Sequence, residues 1–285
     1  MTMIFVYPGQ GSQELGMGEA LFEQFAPLVE KASHQLGYDL RDLCVNGPAE
    51  KLNDTQYTQP ALFAVNALSH MAKVEELGRE PDFVAGHSLG EYDALFAAGV
   101  FDFLTGLRLV ERRGQLMAQA ASGGMAAVLG LPVSQIRNAL VDHGHDDIDV
   151  ANLNTHGQTV ISGPRESIVA AEGAIKDAGA KRYVVLNVSG AFHSRYMAHA
   201  ASDFGDFLKG FEFHAPRIPV IANYTAEPYG DDAESVMDNL TKQIEKSVRW
   251  VETIELLMKQ DDAEFIEVGP RNVLAGMIRQ IQRGS

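Results

Sequence analysis

Short apolar runs alternate with longer amphipathic stretches along most of this chain, and that rhythm predicts an α/β protein with a mainly parallel sheet. The first run, Ile4-Phe5-Val6-Tyr7, reads as a strand. It leads through the turn Gly9-Gln10-Gly11-Ser12-Gln13 to a predicted helix over 20–36. Helical spacing continues over 60–77, 89–98 and 103–120, and a proline-led run at 81–85 reads as a second strand.

The middle of the chain changes rhythm. Strands are predicted at 125–129, 148–153, 159–162 and 183–188, with helices over 133–141 and 166–178, which gives the order βαββαβ of a ferredoxin-like unit. The α/β pattern then resumes, with strands near 220–222 and 265–268. The chain is therefore expected to hold a large α/β subdomain over 1–123 and 190–285, interrupted by a small subdomain over 124–189. Ser122-Gly123-Gly124 is the expected hinge at the start of the insert.

The most informative residues are Gly86-His87-Ser88-Leu89-Gly90, which lie between a predicted strand and a predicted helix. A turn that tight holds its central serine in strained backbone and crowds the positions two before and two after it. Glycines occupy both. The serine hydroxyl then projects above the sheet edge, and the Leu89 N–H points to where an oxyanion would form. An acyl-transfer enzyme is the leading reading.

Other chemistry around this edge is weaker. Gly11 and Gly16 have the spacing of a phosphate-binding loop, but Met17 stands where such a loop requires lysine, and no dinucleotide fingerprint is present. The Gly9 turn and the Ser88 turn share the carboxyl edge of the sheet, so Gln10 is placed to face Ser88. A serine needs a base. His87 adjoins Ser88 but points elsewhere in the turn, and His143 and His145 with Asp146 and Asp147 read as a solvated loop rather than a metal site. His193 lies where the chain leaves the small unit and overhangs the sheet edge, which makes it the favoured partner. On the 103–120 helix, Arg113 shares the apolar arc with Leu109, Val110 and Leu116. A guanidinium there serves either to bind a substrate carboxylate or to pair with an internal Asp or Glu.

Composition narrows the class. With 46% hydrophobic residues in 285, the chain can bury a sizeable core. No run approaches the length of a membrane span, and the first residues lack a signal peptide's pattern. A single cysteine, Cys44, permits no internal disulfide, so a cytoplasmic setting is expected. A net charge of −15 argues against nucleic-acid or anionic-membrane binding.

Taken in order and spacing, several segments resemble the malonyl-CoA:acyl carrier protein transacylases and the related acyltransferase domains of polyketide synthases. They are Pro8-Gly9-Gln10-Gly11-Ser12-Gln13, Gly86-His87-Ser88-Leu89-Gly90-Glu91-Tyr92, Arg113-Gly114, Asn154 with Val160-Ile161-Ser162-Gly163, Gly190-Ala191-Phe192-His193-Ser194, Val248-Arg249-Trp250 and Glu267-Val268-Gly269-Pro270. The resemblance implies an α/β-hydrolase-like large subdomain carrying the ferredoxin-like insert. It implies Ser88 as nucleophile, His193 as base, Gln10 and the Leu89 N–H as oxyanion hole, and Arg113 as the ligand of the malonyl carboxylate. It further implies that the Gln243 main-chain carbonyl orients His193, although the sequence around Gln243 departs from the family pattern, and that His87, Phe192 and Asn154 line the substrate pocket. Phe192 resembles the malonyl-selective members. Gly190-Ala191-Phe192-His193-Ser194-Arg195-Tyr196-Met197 resembles freestanding acyltransferases that serve polyketide synthases in trans.

By the same resemblance no metal or redox cofactor is expected, and the acceptor is the phosphopantetheine thiol of an acidic acyl carrier protein. That protein would dock on a local basic patch of a monomeric enzyme. Lys181-Arg182, Lys246 with Arg249, and Arg279 with Arg283 are the candidates. The competing readings are a fatty-acid housekeeping transacylase, an acyl-carrier hydrolase or proofreading esterase, and a non-catalytic docking component.

Overall fold

The computed structural model describes residues 1–120 and 123–284. Its strands form two four-stranded sheets. The first contains β1 (Thr2–Tyr7), β2 (Phe83–Gly86), β7 (Val220–Ile221) and β8 (Ala263–Glu267) in the order β7-β2-β1-β8, and all its pairings are parallel. The second contains β3 (Gly124–Leu129), β4 (Asp149–Thr155), β5 (Gln158–Gly163) and β6 (Arg182–Val185) in the order β4-β5-β3-β6, with antiparallel pairings throughout. That is the ferredoxin-like arrangement the strand and helix order predicts.

Strand burial explains the layering. Helices cover both faces of the parallel sheet, so β1 is apolar at nearly every position. Its side chains still divide by alternation. Phe5 and Tyr7 enter the large core that holds the long helix Thr55–Leu77, while Ile4 and Val6 pack with Trp250, Ile254 and Ile278 on the opposite face. The small sheet divides in the same way. Met125, Ala127 and Val160 join the large core, whereas Ala126, Val128 and Ile161 pack with Ile136, Leu140, Ile168 and Ile175.

Several helix boundaries differ from the sequence expectation. The 20–36 helix is two helices, Glu19–Gln24 and Ala26–Leu36, which meet at Phe25 where Pro27 opens the second. The 166–178 helix likewise divides at Ala171 into Arg165–Ala170 and Glu172–Asp177. The helix expected from Pro60 begins earlier, at Thr55, because the Asp54 carboxylate accepts the Gln56 N–H at 3.2 Å and sets the helix start. Two short helices, Leu40–Val45 and Ala49–Leu52, lie where no periodic pattern is long enough to announce them.

Of the expected hinge, Ser122 lies outside the described residues, and Gly123 packs against the chain's return from the small unit. A Cβ at Gly123 would lie 2.5 Å from the Ala191 nitrogen. The two units are also stitched together elsewhere: Val248 donates its N–H to Ala151 and accepts from Leu153, both on β4, at 2.8 and 2.9 Å.

The helix Gly90–Ala97 leaves the end of β2 directly against β1. A Cβ at Gly90 would lie 2.1 Å from the Tyr7 carbonyl oxygen. Main chain cannot yield as a flexible side chain does, so Gly90→Ala is expected to destabilise the fold by on the order of 3 kcal/mol. Thermal denaturation of the variant against the parent measures it.

Candidate active site

Ser88 occupies the turn between β2 and the Gly90–Ala97 helix with φ at +53°, a left-handed conformation uncommon for any residue with a side chain. The turn closes only because Gly86 and Gly90 are bare. A Cβ at Gly86 would sit 1.9 Å from the Gly90 carbonyl carbon. Gly9 lies against the same turn, where a Cβ would meet the His87 carbonyl oxygen at 2.4 Å. The first-strand turn and the serine turn are thus locked together at the carboxyl edge of the sheet, as the sequence predicts.

His193 reaches Ser88 from the segment that follows the small unit, and its Nε2 lies 2.7 Å from Ser88 Oγ. Its own φ is +56°. Its Nδ1 lies 2.8 Å from the Gln243 main-chain oxygen. A carbonyl can only accept, so Nδ1 carries the proton and Nε2 is left as the acceptor facing the hydroxyl. Burial, then the positive charge of Arg113 and the nearness of His87, push His193 down to about 3 against the opposing pull of the Gln243 carbonyl. The imidazole is therefore neutral at physiological pH.

Arg113, on the helix Phe103–Gln119, is 1% exposed. Its Nη1 donates to Gln59 Oε1 at 2.9 Å, and its Nη2 donates to Gln243 Oε1 at 2.8 Å and to Ser88 Oγ at 3.2 Å. Its carbon centre lies 5.5 Å from the centroid of the Tyr92 ring. Among the described residues it makes no salt bridge, so of the two sequence alternatives the direct internal ion pair is not the one formed. Burial lowers its pKa, opposed by the neighbouring Tyr92 and Glu91. The groups that hydrogen-bond this buried cation directly, two amides and a hydroxyl, are all neutral.

Gln10, His87, Leu89, Asn154 and Phe192 line a single cavity of about 220 Å³ with Ser88, Arg113 and His193. Gln10 Nε2 donates to Thr55 Oγ1 at 3.2 Å, which steadies its side chain at the cavity wall. Leu89 precedes the Gly90–Ala97 helix, where main-chain N–H groups have no partner within the helix. His87 turns away from Ser88, as expected, and its Nε2 lies 2.8 Å from Asn154 Oδ1 on β4. Met117, Met125 and Val160 complete an apolar wall. The His145, Asp146 and Asp147 loop lines a different, open depression.

Sequence reasoning missed three supporting residues. Gln59 holds one side of the Arg113 fork. Glu91, fully buried, accepts from Tyr229 O–H at 2.5 Å, Gln243 Nε2 at 2.8 Å and Asn223 N–H at 3.1 Å. Burial pushes Glu91 up to about 7, opposed by those three donors and by Arg113. Asn223 is 1% exposed and contacts the serine turn itself. Two acidic residues, Glu91 and Asp93, in the otherwise apolar run after Gly90 were the available signal.

The comparisons agree with this architecture. A family model described as the acyl transferase domain matches residues 4–284. The chain is 50% identical over 281 residues to the polyketide biosynthesis malonyl CoA-acyl carrier protein transacylase BaeC of Bacillus velezensis, covering 98% of this chain and 96% of that protein. It is 50% identical over 279 residues to the polyketide biosynthesis protein PksE of Bacillus subtilis, of whose length it spans 36%. A crystal structure of a malonyl CoA-acyl carrier protein transacylase from Burkholderia pseudomallei, 47% identical, superposes with a TM-score of 0.96 over 100% of this chain and 99% of that one. The chain belongs to the acyl transferase domain family.

The depressed His193 pKa fixes a pH signature. The folded value lies below the ordinary histidine value near 6.5, so below that pH the unfolded chain takes up a proton that the folded site refuses. Stability contributed by this group is intact above about pH 6.5 and is lost progressively as pH falls toward 3. In histidine NMR titrations the His193 resonance is expected to stay in its neutral position through pH 6.

Proposed function

We propose that this chain transfers malonyl from malonyl-CoA to the phosphopantetheine thiol of an acyl carrier protein, and that it serves a polyketide synthase in trans. The observation that carries the reading is Arg113, a buried guanidinium without a carboxylate partner among the described residues, one hydrogen bond from Ser88 Oγ at 3.2 Å. In a malonyl ester the free carboxylate lies one methylene from the ester carbonyl. A cation beside the serine oxygen is within its reach. The polyketide context rests on the 50% identity to BaeC, a polyketide biosynthesis transacylase whose length the chain nearly spans.

The chemistry runs in two halves. Ser88 Oγ attacks the thioester carbonyl while His193 Nε2 takes the hydroxyl proton. The Gln10 amide and the Leu89 N–H receive the developing oxyanion. The carbon–sulfur bond breaks, His193 returns the proton to the thiolate, and CoA leaves with malonyl esterified to Ser88. In the second half the carrier thiol gives its proton to His193 and attacks the ester. The Ser88 carbon–oxygen bond breaks, and the proton returns to Oγ. Phe192 and the methionine wall keep the waiting ester in apolar surroundings.

Selectivity follows from charge. A monoacyl thioester leaves Arg113 buried and without its anion, which lowers its transition-state binding relative to malonyl. Docking of the carrier is assigned to basic side chains on an element that itself lines the cavity. Among the three candidate pairs, Lys246 pairs with Glu245, and Arg249 pairs with Glu252. Arg279 and Arg283 project from the helix Val273–Gly284, whose Val273, Leu274 and Met277 line the cavity. They are the favoured docking pair for an acidic, cytoplasmic carrier, with the enzyme acting as a monomer.

Incubation with malonyl-CoA followed by intact-mass measurement is expected to show a malonyl adduct that Ser88→Ala abolishes; an unmodified parent chain would sink the enzymatic reading. Arg113→Ala is expected to lower kcat/KM for malonyl loading by about 100-fold or more while shifting preference toward acetyl-CoA. Reversing Arg279 and Arg283 to glutamate should raise KM for the carrier protein and flatten the salt dependence of transfer, with malonyl loading from CoA retained.

A further inference from the structure

The serine turn holds its shape by more than its glycines. Asn223 follows β7 at the same carboxyl edge, and its side chain spans the turn with both ends of its amide. Oδ1 accepts the Ser88 N–H at 2.7 Å, and Nδ2 donates to the Gly86 carbonyl at 2.6 Å. These are the two main-chain groups that flank the left-handed residue's entry into the turn.

The amide is itself fixed from both sides. Its main-chain N–H donates to Glu91 Oε1 at 3.1 Å, on the helix that leaves the turn. Its main-chain oxygen accepts the Arg249 N–H at 3.0 Å, next to Val248, which bridges to the small sheet. Glu91 also accepts from Gln243, whose amide donates to the Ser88 carbonyl at 2.6 Å. Ser88 thus has its N–H and its carbonyl each tied to a side-chain amide, and Glu91 receives a hydrogen bond from both of those residues.

We infer that Asn223 is a positioning residue for the acyl-transfer reaction, clamping the Ser88 turn so that Oγ stays aimed at His193 Nε2. It is not among the residues that line the cavity. The physical need is plain. A left-handed serine costs on the order of 1 kcal/mol or more relative to ordinary backbone, and the turn relaxes unless surrounding contacts hold it. An asparagine suits the task because one side chain supplies an acceptor and a donor a single amide apart. In a neutral amide the two sit on separate atoms of one planar group, where a single hydroxyl could not reach both ends of the turn. Removing it would leave the half-buried Ser88 N–H and the buried Gly86 carbonyl without those partners.

The inference rests on the acyl-transfer reading above, and its test keeps the two separable. Asn223→Ala is expected to lower kcat for malonyl loading by about 10- to 100-fold with KM changed less than about threefold, because the substrate pocket is intact and only the aim of Oγ is lost. Acetyl loading should fall by the same factor, unlike in Arg113→Ala, where the two substrates diverge. Asn223→Asp keeps the acceptor for Ser88 N–H but sets an oxygen against the Gly86 carbonyl, so it should fall between parent and Asn223→Ala. It also serves if the alanine variant fails to fold by thermal denaturation. As a substrate-independent readout, inactivation by phenylmethanesulfonyl fluoride, which reports only on the serine and its base, should slow in parallel. Unchanged kcat and unchanged inactivation in a folded variant overturn the assignment, as does a raised KM with kcat retained. A parent chain that reacts with the sulfonyl fluoride but not with malonyl-CoA would defeat the malonyl reading and leave the positioning role standing.

Discussion

One residue in left-handed backbone organises the rest of the site. Ser88 at φ +53° must carry a side chain, so the relief that a glycine would give at that position is supplied by its neighbours instead. Gly86 and Gly90 let the chain double back almost on itself, Gly9 lets the first-strand turn press against it, and the parallel pairing of β1 with β2 brings those turns to one edge. Each arrangement is explained by the need to hold one hydroxyl above the sheet. His193 also stands at positive φ, so both partners of the 2.7 Å contact are held in uncommon backbone by the surrounding fold.

The electrostatics of the site centre on one buried cation, Arg113, which has no salt bridge among the described residues. Arg113 is buried among two amides, a hydroxyl and an aromatic face, and the nearest buried acid, Glu91, is reached only across Gln243. Burial first, and then that positive charge, keep His193 neutral. On the proposed reading, one cation supports both features that malonyl transfer needs, an anion subsite and an unprotonated base. The neutral amides around Arg113 hold its position without cancelling its charge.

Most of this architecture was readable from the chain because its signals are local. The βαββαβ order, the glycine pair around Ser88 and the buried arc carrying Arg113 follow from spacing alone. The short helices at Leu40–Val45 and Ala49–Leu52 escaped because a turn or two of helix leaves no periodicity to detect. Pairings across the fold were beyond sequence spacing for a different reason. Gln59 meets Arg113 from 54 positions away, and Asn223 meets Ser88 from 135. Gln243 shows the limit most clearly: the family resemblance pointed to its main-chain carbonyl, but its side chain, which links Arg113, Glu91 and the Ser88 carbonyl, gave no sign in a sequence that departs locally from the family pattern.

The cavity is walled by both sheets, and this has a consequence for exchange between relatives. Met125, Asn154 and Val160 come from the insert, whereas Ser88, Arg113 and Met117 come from the frame. A chimera that transplants the insert replaces one wall of the cavity, formed by Met125, Asn152, Asn154, Val160, Leu186 and Val188, as one block. Its seating depends on main-chain register at Ala151 and Leu153 and on a polar group offered to His87. Graft compatibility thus depends on a short seam of β4 together with the packing of Met125, Ala127 and Val160 against the large core, so an exchanged insert must match the recipient in both main-chain register and side-chain volume.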